Sequence, residues 1–150
     1  MPALDRNTVD EILQRIESIP DDAEPAWGTL RKDTLVGHLV WVVKSSMESS
    51  TNVPYQGNFL LKNIVGPLLR EGIIKFPKNV KFKDNSGGTL NVLSEGTMDD
   101  LREVVDTFIS GIADGTLETS SHPVFGDLGS KNWPKFHYRH FEHHLGQFGA

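Results

Sequence analysis

The apolar positions of this chain recur at helical, not alternating, spacing. Leu4, Val9, Ile12, Leu13, Ile16 and Ile19 repeat every three or four residues, with Asp10, Glu11, Arg15 and Glu17 on the opposite side. This predicts an amphipathic helix over 5–19. Pro20 ends it, and the polar stretch DDAEPAWG leads to Trp27. Asp33 or Thr34 can cap a second helix running through LVGHLVWVVKSSMES, with Leu35, His38, Trp41, Val42 and Ser45 on one face. Thr97 caps a further helix. Met98, Leu101, Val104, Val105, Phe108, Ile109 and Ile112 form its core stripe, Asp99 and Asp100 suit its first turn, and Gly115 lies just past its end. The last helix starts between Ser130 and Asn132, which places Pro134 in the first turn.

Residues 51–96 read differently. NFLLKNIVGPLLREGIIKF has helical spacing interrupted by Gly66 and Pro67, which predicts a broken helix or two short ones. FPKNVKFKDNSGGTLNVLSEG carries turn signals and predicts a long loop, of the kind that often forms a lid or a wall of a binding site. Lys75, Lys78, Lys81 and Lys83 make this stretch locally basic: a solvated loop face, or a contact for an anionic ligand. Four substantial helices without a strand pattern predict an all-α fold. The expected architecture is a four-helix bundle with an inserted long loop and short helices between helices 2 and 3, one domain over 1–150.

Composition narrows the chemistry. At 150 residues the chain can bury a real core, and its 37% hydrophobic and 23% charged content is that of a soluble globular protein. A net charge of −5 argues against nonspecific binding to nucleic acid or to an anionic membrane. Neither a signal peptide nor a membrane-spanning run is evident, so a cytoplasmic location is expected. There is no cysteine, which excludes disulfides, thiolate zinc sites and thiol nucleophiles. Histidine and carboxylate remain as the strong metal ligands.

Histidines are concentrated in the last helix, at 137, 140, 143 and 144. His140 and His144 lie about 40° apart on one face, the arrangement by which a helix offers two imidazoles to one metal ion. Trp133 and His137 share this face and Phe136 and Phe148 flank it, so the histidine ladder should be buried. His38, on the second helix, is a third imidazole that could converge with them in a bundle core, although a lone histidine among apolar residues is more often a hydrogen-bonded core residue. His137, one turn before His140, is a candidate supporting partner of the ligand histidines or a general acid/base or, equally, a helix-surface or packing histidine. His143 points aside, toward a structural role or a subunit contact. His122 reads as a loop residue near the mouth of the site. Glu48, Glu142, Asp127 and Gln147 are candidate acceptors for the second ring nitrogens of ligand histidines. Trp27, Trp41 and Trp133 are read as core residues or as pocket lining.

The stretch from His140 to Gln147, HFEHHLGQ, resembles the H-x-x-H-H-R-G-Q motif that closes the last helix of the DinB/YfiT-like superfamily of four-helix metalloenzymes. It departs at Leu145, where the broader motif has arginine. SHPVFGDLGSKNW before it is similar to one subfamily, a domain of unknown function whose members carry a His-Pro-x-Phe-Gly stretch. PAWGTLRKDTLVGHLV resembles the approach to the second helix, which bears the superfamily's first histidine ligand. The resemblance implies that His38, His140 and His144 bind a divalent metal ion, with His143 not a ligand. Its characterised relatives include enzymes that use a low-molecular-weight thiol, such as bacillithiol-dependent transferases and mycothiol-dependent maleylpyruvate isomerase.

The expected function is a metal-dependent transferase or hydrolase acting on a small molecule, with a small thiol as cosubstrate. Zn or Ni is the expected ion, with Fe and Mn as further choices. Two other readings stand beside it. One is a non-catalytic metal-binding or stress-associated helical protein working as a homodimer; the other is a hydrogen-bonded histidine core without metal.

Overall fold

A computed structural model describes residues 2–47, 57–73, 75–76, 96–123 and 125–150. Its regular elements are α1 (Val9–Glu17), α2 (Lys32–Met47), a π-helical turn (Leu61–Val65) running into α3 (Gly66–Arg70), α4 (Met98–Asp114) and α5 (Gly129–Gln147). Among the described residues there is no strand, and His122 and Gly126 form one isolated antiparallel bridge. The all-α expectation therefore holds. None of these helices is long and apolar enough to cross a membrane. The long loop expected over 76–96 falls almost wholly outside the described residues, as do Lys78, Lys81, Lys83 and Glu48.

α5 organises the packing. α2 lies against both α4 and α5, while α1 and α3 contact α5. Leu35, Leu39 and Val43 of α2 meet Leu101, Val105 and Phe108 of α4 and Phe141 and Leu145 of α5 in the buried core. Leu145, the departure from the arginine of the resembled motif, is one of these core residues. At Gly96, just before α4, a Cβ would come within 2.8 Å of the Gly37 Cα on α2. Two glycines thus let the chain pass close to α2 one residue from His38.

The local chemistry accounts for the element ends. Thr97 accepts from the Asp100 N–H and the Asp100 carboxylate accepts from the Thr97 N–H, a capping box that starts α4. Gly115 closes α4 at φ +69. α1 is shorter than its apolar period implies. The Asp5 carboxylate accepts from the Asn7 and Thr8 N–H groups, so these residues make a turn and the helix begins at Val9. Leu4 is buried all the same, and its N–H donates to the Pro134 carbonyl at 2.9 Å. Pro67 cannot donate a backbone hydrogen bond, and the helix reaches it through a wider turn in which the Gly66 N–H reaches back to the Leu61 carbonyl. At α5, Gly129 turns the chain into the helix at φ +67, and Pro134 sits one turn inside it.

Candidate metal centre

His140 and His144 project from successive turns of α5, and His38 meets them from α2. The Nε2 atom of His140 lies 3.2 Å from that of His38 and 3.1 Å from that of His144. One ring nitrogen from each of the three lies within 4.8 Å of the other two, and among the described residues this is the group of histidines and carboxylates that could hold a metal ion. All three side chains are buried, His140 to 9% exposure. The structure thus brings together the three residues that the sequence and its resemblance single out.

The nitrogen triangle suits a cation. A proton on the His140 Nε2 can satisfy one of its two neighbours, leaving the other contact without a shared proton. A cation held among them would be a common partner for their lone pairs. Coordination would require neutral rings, and burial disfavours the charged forms of His140 and His144. It lowers His144 to about 3, helped by the nearby His38 and His143 and opposed by the Gln147 hydrogen bond. His140 is pushed well below its ordinary 6.5, first by burial and then by His144 and His38.

Aromatic rings frame the trio. Phe136 stacks on His140 with centroids 5.7 Å apart and planes 15° from parallel. Phe76, beyond α3, approaches His140 at 5.8 Å and His143 at 5.6 Å. Trp41 lies parallel to His38 at 6.4 Å, and Trp27 packs on His143 at 5.5 Å. Trp27 and Trp41 therefore border the site, whereas Trp133 belongs to the core and donates its indole N–H to the Ser120 carbonyl.

The remaining candidates divide. His144 Nδ1 is 2.8 Å from Gln147 Oε1, so Gln147 is the orienting partner found among the four residues considered. Glu142 instead pairs with Arg15 at 2.7 Å, raising the guanidinium pKa through that hydrogen bond, and Asp127 is exposed. The Nδ1 of His140 is buried without a hydrogen-bond partner. His143 is half-buried at the edge of the trio, its ring 5.1 Å from that of His144.

His137 lies elsewhere. Its ring has 0% exposure, is packed on Trp133 and Phe108, and has its Nε2 2.9 Å from Ser46 Oγ. The Ser46 hydroxyl proton goes to the Val43 carbonyl, so the oxygen accepts from His137. The geometry places this histidine in the packing role, apart from solvent and from the nitrogen triangle. His122 is also buried, and its Nδ1 accepts from the Phe125 N–H within the tight His122–Gly126 turn. Ser46, Phe76 and the Trp27 backbone were not singled out in the sequence. A serine on an apolar helix face was a weak signal for Ser46, and the other two carried none.

The chain belongs to the family described as protein of unknown function (DUF1569), which it matches over residues 3–150. No curated protein matches it, and no solved structure does.

Proposed function

We propose that this DUF1569 member is a divalent-metal-dependent enzyme of the DinB/YfiT-like kind, with His38, His140 and His144 as ligands. The observation that carries the reading is the convergence of three buried Nε2 atoms from two helices, with three protein ligands leaving coordination positions for substrate. The four longer helices, α1, α2, α4 and α5, are then the four-helix bundle of that superfamily, with α3 in the insertion between the second and third. When bound, the ion supplies Lewis acidity, polarising a substrate oxygen or bringing the pKa of a nucleophile toward neutrality. Zn or Ni suits the all-imidazole set best. The reaction class is transfer or hydrolysis on a small molecule. Because the chain has no cysteine, a sulfur nucleophile would come from a low-molecular-weight thiol cosubstrate. The acid/base role considered for His137 is not part of the proposal, since its ring is enclosed and its Nε2 is committed to Ser46.

The test is metal content by elemental mass spectrometry on untagged protein purified without chelator, beside His38→Ala, His140→Ala and His144→Ala. Near-stoichiometric metal lost in all three variants is expected. Wild-type protein without metal that takes up no added divalent ion would overturn the reading in favour of a histidine hydrogen-bond network. A second reading, a non-catalytic metal-binding protein acting as a homodimer, is favoured by the exposed Phe59 (76%), Leu60, Ile64 and Ile73 (70%) around the π-helical turn and α3. Bound metal without turnover in a thiol-dependent reaction screen, together with a dimer that Phe59→Ser dissociates in sedimentation, would select it.

A further inference from the structure

Gln147 is held on three sides. Its Nε2 donates to the Trp27 carbonyl at 2.7 Å, its own carbonyl accepts from the Ala26 N–H at 2.7 Å, and its Oε1 faces His144 Nδ1 at 2.8 Å. The side chain is buried. A backbone carbonyl can only accept, so the Trp27 oxygen decides which end of the amide it faces: the NH2 group turns to Trp27 and the oxygen to His144. An amide oxygen also only accepts, so the proton of a neutral His144 ring resides on Nδ1 and the Nε2 lone pair is turned toward His38 and His140.

We propose that Gln147 is a positioning residue that sets the tautomer of His144, with the Trp27 carbonyl as the fixed reference that orients the amide. The purpose of the device rests on the metal reading above, because an Nε2–H on His144 would block the nitrogen triangle. The device itself exists in the metal-free chain. It also connects the ligand to the border of the site, since the residue whose carbonyl orients Gln147 is the one whose indole packs on His143.

Glutamine is distinguished from its neighbours in chemistry by what it does at both ends. In Gln147→Glu the carboxylate still accepts from Nδ1–H but loses the donation to Trp27. In Gln147→Leu both are lost. Long-range proton–nitrogen NMR correlation on the metal-free, nitrogen-15-labelled chain reads which ring nitrogen of His144 is protonated, and competition against a chromophoric chelator reads Zn2+ affinity.

Wild type and Gln147→Glu are expected as the Nδ1–H form, with Gln147→Leu shifted to Nε2–H or a mixture. Zn2+ affinity should fall about 10–100-fold in Gln147→Leu and stay within about threefold of wild type in Gln147→Glu. A folded Gln147→Leu chain whose His144 keeps Nδ1–H overturns the proposal. So does Gln147→Glu departing from wild type in tautomer, because Gln147 would then serve only to hold the Ala26–Trp27 segment. If Gln147→Leu fails to fold, the Gln147→Glu spectrum decides. Expected tautomers in a chain that takes up no Zn2+ overturn the metal reading and leave the tautomer assignment standing.

Discussion

α5 carries two histidine neighbourhoods that are equally buried and chemically opposite. At one, the Nε2 atom of His140 lies 3.1 Å from that of His144 and 3.2 Å from that of His38. At the other, His137 and His122 flank the indole of Trp133 at 5.1 and 5.6 Å, and each spends one nitrogen on a protein partner, Ser46 Oγ or the Phe125 N–H. Phe136 divides them, with one face on His140 and an edge-on contact to His122. Burial and proximity to aromatic rings do not separate a ligand from a packing residue. What separates them is whether nitrogens converge on one another or on the protein's own hydrogen-bonding groups.

The sharpest way to break this contrast is to exchange the two kinds of position. On the metal reading, His140→Leu should lower metal affinity by more than about 100-fold, since it removes the central residue of the proposed site. His137→Leu should leave metal content unchanged in elemental analysis while costing about 1–3 kcal/mol in urea unfolding, from the lost hydrogen bond to Ser46 and the altered packing. Metal lost from a folded His137→Leu protein would abolish the distinction.

Acid should reveal the packing pair as well. His122 and His137 are each lowered by burial from 6.5 to about 3. Between those values the unfolded chain holds more protons, so stability falls as pH drops below 6.5, levels off near 3 and is flat above 6.5. Each contributes a slope of about 1.4 kcal/mol per pH unit. In metal-free protein, His122→Gln should remove one such contribution, measured as a shallower fall of the urea midpoint with acid; an unchanged slope would show that His122 is charged in the native state.

The smallest expected effect lies outside both neighbourhoods. Thr97→Ala removes the side-chain acceptor of the α4 capping box and should cost about 1 kcal/mol by thermal or urea unfolding, with metal affinity unaltered. A change in metal affinity there would mean that α4 supports the site through α2, against which it packs.

Much of this was legible in the sequence because helices write their apolar faces and caps into it. α4 is the clearest case, with Thr97, Asp100 and Gly115 all in their expected roles. The start of α1 was not legible, because Leu4 is buried whether or not it is helical and the Asp5 carboxylate decides for a turn. His140 and His144 followed from their i, i+4 spacing. His38 was legible through the resemblance of the approach to α2, because spacing alone does not determine how α2 packs on α5. The role of His137 was undecided because Ser46, 91 residues away in sequence, settles it. Gln147 stood among four candidates, and the Trp27 carbonyl among none, because every residue has a backbone carbonyl.

The contact between His38 and His140 spans 102 residues of chain, and Arg15 reaches Glu142 across 127. Synthesis must therefore run 102 residues beyond His38 before that histidine can meet His140. Pairings of such long range carry a loop-closure cost before they bring any stabilisation, so the nitrogen triangle should be assembled late in folding. Metal uptake during synthesis or refolding would then be a clock, marking when the two distant parts of the chain have found each other.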